Sequence, residues 1–362
     1  MTNKQWARRD FLKLGLVTAS ATVITGCDVT DPVAVAAEQS RSSLSLEAGI
    51  SEILRYATLA ASGHNTQPWK FAVKSSTIEI HPDLSRALPV VDPAHRELWI
   101  SLGCALENLV IAASASGYSS LVTYPDESRQ FIIVDLLSTE PQRSPLLDAI
   151  PLRQSTRGEY QPVEMLREDR NQIHATPSEP GVVLEFLEDK QRMETALDYV
   201  VQGNLSQYSD AAFVTELVKW LRFNKNEALS SLDGLYSKCS GNPTVPRWIG
   251  KMVVSGTIPQ NQADADVKKL RSSAGAVILA SEKDDQTSWV RTGQVFERLS
   301  LTLTSLGLKS ALLNQPIEVP DLRDKFTDEI GMAGLHTQLL LRYGVADAMP
   351  YSLRRSVDSV MI

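Results

Sequence analysis

The sequence predicts an α+β protein of two similar halves, mixed sheets flanked by helices, with the halves packed as the subunits of a dimer would pack. Three observations lead there. The order helix, strand, long apolar helix, strand occurs twice in 362 residues. Two long helical stretches, 98–115 and 289–306, are rich in apolar residues and stopped by Gly117 and Gly307. Neither half alone has enough apolar cover for its own sheet. Hydrophobic residues make up 43% of the chain, enough for a substantial core. The net charge is -7 and no basic stripe appears, which argues against nucleic acid as a partner.

Taken in order, residues 1–27 read as an export signal. Lys4, Arg8, Arg9 and Lys13 make a basic start, and 14–25 is a weakly apolar run too short to span a bilayer comfortably. Arg8-Arg9-Asp10-Phe11-Leu12-Lys13 resembles the twin-arginine translocation motif. Ile24-Thr25-Gly26-Cys27 resembles a bacterial lipobox, with Cys27 as the lipidated residue. These resemblances imply export to the periplasmic or cell-surface side, with the membrane reached through the N-terminal lipid only. Residues 28–44 are short on core residues and read as a tether.

The first half is expected over 45–143. Ile50, Ile53, Leu54, Ala57 and Ala61 recur at helical spacing. The next residues are Ser62-Gly63-His64-Asn65-Thr66-Gln67-Pro68-Trp69, a helix-to-strand turn. Small residues there let a backbone approach something flat, and Asn65 and Gln67 each offer an amide donor and acceptor. A polar turn after a capped helix is the plainer reading of the same residues. Stretches 69–73 and 77–80 read as a strand hairpin. Asp92-Pro93 reads as a helix start, an N-cap followed by proline. That helix is apolar on nearly every face over 98–115, so it is central; Cys104 and Asn108 within it read as a packed thiol and a satisfied polar group. Strands follow at 121–124 and 131–137.

The second half is expected over 144–362, opening on the capped start Ser144-Pro145. Arg153, Ser155 and Arg157 alternate, so two cations and a hydroxyl share one side of an extended or turning segment. That arrangement suits a phosphate and a second anionic centre, though a solvated basic turn has the same composition. A strand at 182–187 and a helix at 192–208 lead to an insertion at about 210–262. Its aromatic residues, Trp220 and Tyr236 among them, point to an ordered lid. A buried strand at 274–281, the long helix, the turn Asn314-Gln315-Pro316, a strand at 336–343 and the tail Arg354-Arg355 complete the chain. The three cysteines, Cys27, Cys104 and Cys239, lie too far apart in sequence to read as a metal site or disulfide framework, and the five histidines form no pair at helical spacing.

The 62–69 loop resembles the signature loop of the nitroreductase family of FMN-binding oxidoreductases, and Arg-x-Ser-x-Arg resembles the start of that family's flavin site. Residues 45–362 as a whole resemble the branch that carries two repeats in one chain. The resemblance implies FMN bound between the halves. Ser62 and Gly63 would meet the ring face, with His64 beside them, and Asn65 and Gln67 the ring edge or ribityl chain. Arg153, Arg354 and Arg355 would hold the phosphate, Arg157 would lie near the N1/O2 edge, and Ser155 between them would belong to the same cofactor site. Asn314 and Gln315 would add contacts from the second half. A reciprocal site would need the arginine motif near residue 40, where only Arg41 stands, and a second Asn-x-Gln-Pro-Trp loop after Leu166, which the sequence lacks. One FMN per chain follows. No catalytic acid, base or metal is assigned, because flavin carries the hydride chemistry itself. The implied activity is ping-pong electron transfer to flat quinone-like or nitroaromatic acceptors. A quinol or a redox protein is the implied donor outside the cytoplasm. The alternative is a lidded flavin-binding or storage protein with little turnover.

Overall fold

A computed structural model describes residues 31–45 and 49–362. Residues 1–30, with the twin-arginine motif and Cys27, lie outside the described residues.

Residues expected to be a tether form a helix. Asp31 caps α1 (Pro32–Ser40) by accepting from the Val33 N–H at 3.0 Å, and Val33 and Ala37 are buried. The tether reading failed because two apolar residues one turn apart suffice when a partner surface exists, and that surface is distant in sequence. Helix α2 (Ile50–Thr58) precedes the signature loop, then strands β1 (Trp69–Lys74) and β2 (Thr77–Pro82) form a tight hairpin. Helix α3 (Arg96–Ala115) starts later than Asp92-Pro93 suggested. His95 takes a left-handed conformation, and Asp92 caps from a distance by accepting from the Leu98 N–H at 2.9 Å. Strands β3 (Tyr118–Thr123) and β4 (Ile132–Ser138) complete an antiparallel sheet ordered β1-β2-β4-β3.

The second half begins with α4 (Arg167–His174), β5 (Val182–Leu187) and α5 (Lys190–Ser209). The insertion carries α6 (Ala211–Trp220), β6 (Leu221–Arg222), α7 (Lys225–Ser231), β7 (Leu235–Tyr236) and α8 (Arg247–Ser255). From Pro259 the chain is back in the body of the half. Helix α9 (Pro259–Arg271) packs on α5 through Ala263 and Leu270, and Asn204 donates to Asp266 at 3.0 Å. Strand β8 (Gly275–Ser281), α10 (Gln286–Ser305), β9 (Lys309–Leu312), the short α11 (Gln315–Glu318), α12 (Pro320–Glu329), β10 (His336–Gly344) and α13 (Val357–Val360) follow. The second sheet runs β5-β8-β10-β9, again antiparallel. The two halves are thus repeats: strand for strand, β5, β8, β9 and β10 occupy the places of β1, β2, β3 and β4.

Helices α3 and α10 form the joint. A Cβ on Gly103 would fall 2.0 Å from the Val290 carbonyl oxygen, and one on Gly293 would fall 2.0 Å from that of Ile100. Only glycine permits this crossing, which buries both helices in one continuous core. By length and composition α3 is apolar enough to cross a membrane, and it is buried at the centre of the protein. Two isolated bridges extend the sheets: Ser155, from the segment before α4, bridges Ser310 of β9, and Met361, near the end of the second half, crosses to Phe71 of β1.

Candidate flavin site between the halves

The signature loop is a single tight turn after α2. His64, Asn65 and Gln67 all have positive φ, at 49°, 54° and 52°. Each such non-glycine residue costs on the order of 1 kcal/mol, and a run of them persists only where the surroundings hold it. Here they do. Asn65 donates to the carbonyls of Gly234 (3.0 Å) and Leu353 (3.3 Å), and accepts from Arg354 at 2.8 Å. Gln67 donates to Leu232 O at 2.9 Å and accepts from the Arg355 N–H at 2.8 Å. The Gly234 N–H closes the contact on Asn65 O at 3.1 Å. These two amides therefore latch the insertion and the C-terminal tail onto the loop. They were expected to face a flavin edge or ribityl chain, but their polar atoms are taken up by backbone and tail.

Beneath the loop lies a buried cluster of cations. Arg153 donates to Leu59 O at 3.0 Å and stands 2.9 Å from the Glu297 carboxylate, off the hydrogen-bonding line, so that contact is charge against charge. Arg354 donates to the carbonyls of Leu59 and Ala60, each at 3.2 Å, at the end of α2. Arg41 donates to Pro151 O (2.7 Å) and Arg153 O (3.3 Å), and its guanidinium lies 4.2 Å over the Tyr351 ring. All three are buried, and Glu297, which also accepts from the Ala61 N–H at 3.2 Å, is the carboxylate among them. The charges do not balance. Burial, then repulsion by Arg153, pulls Arg41 down to about 10, and burial with both neighbours pulls Arg354 well below the usual guanidinium range. Arg41 also borders an open hollow of about 660 Å³, together with Tyr56, Leu147 and Tyr351.

Arg157 differs from its neighbours. Among the described residues its guanidinium makes no hydrogen bond or ion pair, although burial lowers its pKa. His64 shares this state: its ring makes no hydrogen bond, and burial, then the nearby Arg157 charge, push its pKa down to about 4. Both side chains are half-buried, and the Arg157 charge is near enough to act on the His64 ring. Cys239 of the insertion closes the same region, its thiol pushed up to about 11 by burial.

The other expected site residues fall as follows. Ser62 accepts from the Gln67 N–H at 3.1 Å, and Gly63 donates to Ser101 Oγ at 3.3 Å. Ser155 lies beside Ser310, and among the described residues its hydroxyl makes no hydrogen bond. Arg355 is tied to the tail, donating to Ser359 O at 2.8 Å. Asn314 and Gln315 do not join the cluster. Asn314 donates to Glu97 at 2.9 Å and accepts from the Leu340 N–H at 2.9 Å, while Gln315 donates to Asp266 at 2.9 Å. The turn instead fixes α11 against β10 and α5. Arg41 and Glu297 were missed. Arg41 gave no sequence signal. Glu297 did: Gly103-Cys-Ala-Leu-Glu107 and Gly293-Gln-Val-Phe-Glu297 repeat one pattern on the two crossing helices.

The insertion sits directly on the loop. Besides the latch, Asp233 is paired with both Arg86 and Arg222. Phe213, Leu217 and Trp220 pack on Leu88 and Val91 of the first half.

Comparison with known proteins places these observations. Two Mycobacterium tuberculosis proteins named as putative NAD(P)H nitroreductases are similar over most of their length. Rv3131 is 28% identical over 326 residues, 86% of this chain and 90% of that protein. The one named acg is 25% identical over 323 residues, 86% of this chain and 94% of that protein. Among solved structures, a nitroreductase with bound FMN from Desulfitobacterium hafniense covers 58% of this chain and 94% of its own, at 11% identity and TM-score 0.36. The FMN-dependent nitroreductase NfnB from Mycobacterium smegmatis, in complex with NADPH, covers 55% and 86% at 14% identity and TM-score 0.35. No family model matches the chain. With two repeats joined at one glycine crossing, the chain is similar in sequence, over about nine-tenths of their length, to proteins named as putative NAD(P)H nitroreductases.

Proposed function

We propose that the chain binds one FMN between its halves and acts as an oxidoreductase of nitroreductase type. The observation that carries this is Arg157: a half-buried guanidinium with no hydrogen-bond or ion-pair partner among the described residues, beside His64. A cation drawn partly out of water without a counter-charge is stabilised by an anionic ligand. The donor set fits FMN. Arg41, Arg153 and Arg354 exceed Glu297 in charge, which suits a phosphate, and Arg157 suits the anionic N1/O2 edge. When bound, FMN supplies the two-electron chemistry.

The chain's own residues supply the rest. Arg157 would favour a negative ring edge by placing a cation beside it in surroundings less polar than water. His64, held neutral, can accept or donate a hydrogen bond without adding charge. The loop backbone at Ser62 and Gly63 allows close approach, and the insertion keeps water out. The acceptors in this reading are flat quinone-like or nitroaromatic molecules, reduced by a ping-pong cycle. The export signal supports a location outside the cytoplasm, with Cys27 holding the protein on a membrane and a quinol or redox protein as donor.

A second reading rests on the latch. With Asn65 and Gln67 both bound to the insertion, the protein would hold flavin with little turnover. Purification decides the first point: a yellow protein whose released cofactor has the mass of FMN is expected, and a colourless protein that binds no added FMN rejects both readings. Reduction by NADPH, followed at the flavin absorbance, separates them. Slow reduction that quickens in Asn65→Ala/Gln67→Ala is expected for a latched enzyme, and no reduction by either NADPH or a quinol leaves the storage reading.

A further inference from the structure

The insertion presents an apolar face to solvent. Trp248, Met252 and Val253 on α8 are 68%, 62% and 60% exposed, and Ile258 just beyond is 59% exposed. The opposite side of the helix is docked: a Cβ on Gly250 would fall 2.1 Å from the Phe223 ring, so the helix lies down on the insertion with these side chains outward. The local charge is unlike the rest of the chain. Between Asp233 and Asp264 there is no carboxylate, while Lys238, Arg247 and Lys251 are present, in a protein of net charge -7. Arg247 is shared with Glu227 at 2.9 Å, and Lys251 is exposed on the helix itself. An apolar face with an aromatic residue and flanking cations is the composition of a helix that lies in a membrane interface.

The start of the described chain points the same way. Asp31 pairs with Lys238 of the insertion at 3.1 Å. Helix α1 packs on Ala228, Tyr236 and Cys239 through Val33 and Ala37. Cys27 stands four residues before Asp31. Four residues span at most about 14 Å, whatever their conformation. An acyl chain on Cys27 would therefore enter the bilayer close to the insertion rather than at a random point on the surface.

We infer that α8 and Ile258 form a docking face for a phospholipid bilayer with anionic headgroups. This adds a second membrane contact to the N-terminal lipid and rests the insertion, and so the cover of the site, on the membrane surface. The inference extends the proposed location but does not depend on flavin or turnover.

The test uses the full chain with Cys27→Ser, so that no lipid is attached, and vesicles of equal parts phosphatidylethanolamine and phosphatidylglycerol. Co-sedimentation is expected, with apparent affinity falling at least tenfold in Trp248→Ser/Met252→Ser/Val253→Ser. All three positions are exposed, and far-ultraviolet circular dichroism checks the fold. Independently, brominated lipid should quench tryptophan emission in the Cys27→Ser protein and much less in Cys27→Ser/Trp248→Phe, which keeps an aromatic ring at the face. Equal sedimentation of both proteins, or equal quenching, overturns the inference. So does sedimentation velocity showing a dimer in the absence of lipid that the triple substitution dissociates, since a second copy would then be the occupant.

Discussion

The two halves share one frame and treat the same position in opposite ways. Glu107 and Glu297 each lie four residues after the glycine of the helix crossing, one on α3 and one on α10. Around Glu297 stand three buried arginines, Arg41, Arg153 and Arg354. Around Glu107 stands Arg298, at 2.7 and 2.9 Å, and that cation is shared with Glu179 at 2.8 Å. The first place is left with excess positive charge, and in the second the one cation is met by two protein carboxylates. The loops above them differ in step. The first carries the strained Ser62–Trp69 turn, and its counterpart between α4 and β5 is Ala175-Thr-Pro-Ser-Glu-Pro-Gly181, whose Pro177 carbonyl simply accepts from Arg298. The lesson is that a duplicated fold keeps two equivalent places only while both keep their unmet charges; filling one with a protein carboxylate closes it.

Breaking the frame common to both places should give the largest effect. Gly293→Ala puts a methyl into the α3–α10 crossing, and overpacking of this kind costs about 3 kcal/mol or prevents folding. Urea unfolding of the variant is the measurement, and an unchanged midpoint would mean that the crossing is looser than described.

The second place should respond through stability alone. Arg298→Ala strands Glu107 and Glu179, at a cost of about 3 kcal/mol, and should leave the FMN dissociation constant within a factor of two. The open place should respond in the opposite sense. Arg157→Ala removes a cation with no protein partner, so stability without flavin should hold or rise slightly while FMN affinity falls at least tenfold. Flavin fluorescence titration beside a denaturation curve checks both variants. A pattern in which Arg298→Ala loses flavin and Arg157→Ala loses stability would reverse the comparison.

A smaller effect concerns pH. Glu318, on α11, is half-buried near Glu97, and its pKa is raised, first by loss of solvent and then by the Glu97 charge, though Gln207 donates to it at 2.6 Å. Asp92 adds repulsion and Arg96 opposes it. The unfolded carboxyl ionises near 4.5 while the folded one stays protonated, so its contribution is fully present below that pH and is lost as pH rises. Glu318→Gln should flatten the decline of stability on the alkaline side, read as the thermal midpoint across pH 5 to 9. A decline just as steep in the variant would assign the proton elsewhere.

Much of the open place was legible in the sequence. The 62–69 loop and the alternating Arg153, Ser155 and Arg157 were readable because each is local, with its chemistry held in a few consecutive residues. The insertion was readable by its length, although its last helix, α9, belongs to the body of the half, since polar surface residues on α9 hide Ala263 and Leu270, which pack on α5. What escaped is what depends on distant partners. Arg41 looked like part of a tether because its acceptors, Pro151 and Arg153, are over a hundred positions away. Asn314 and Gln315 carried the right amides for a ligand and use them on Glu97, Leu340 and Asp266, none of which their own turn reveals.

The latch has a further consequence, in time rather than in space. Asn65 is bound by Leu353 and Arg354, and Gln67 by Arg355, across 288 or 289 positions of sequence. The loop is made long before these partners, so its two amides stay unmatched until residues 353–355 have been made and have folded back onto it. A cofactor that needs the latched loop is therefore held late, after the first half has already taken shape, and the bridge from Met361 to Phe71 joins the first sheet at the same stage.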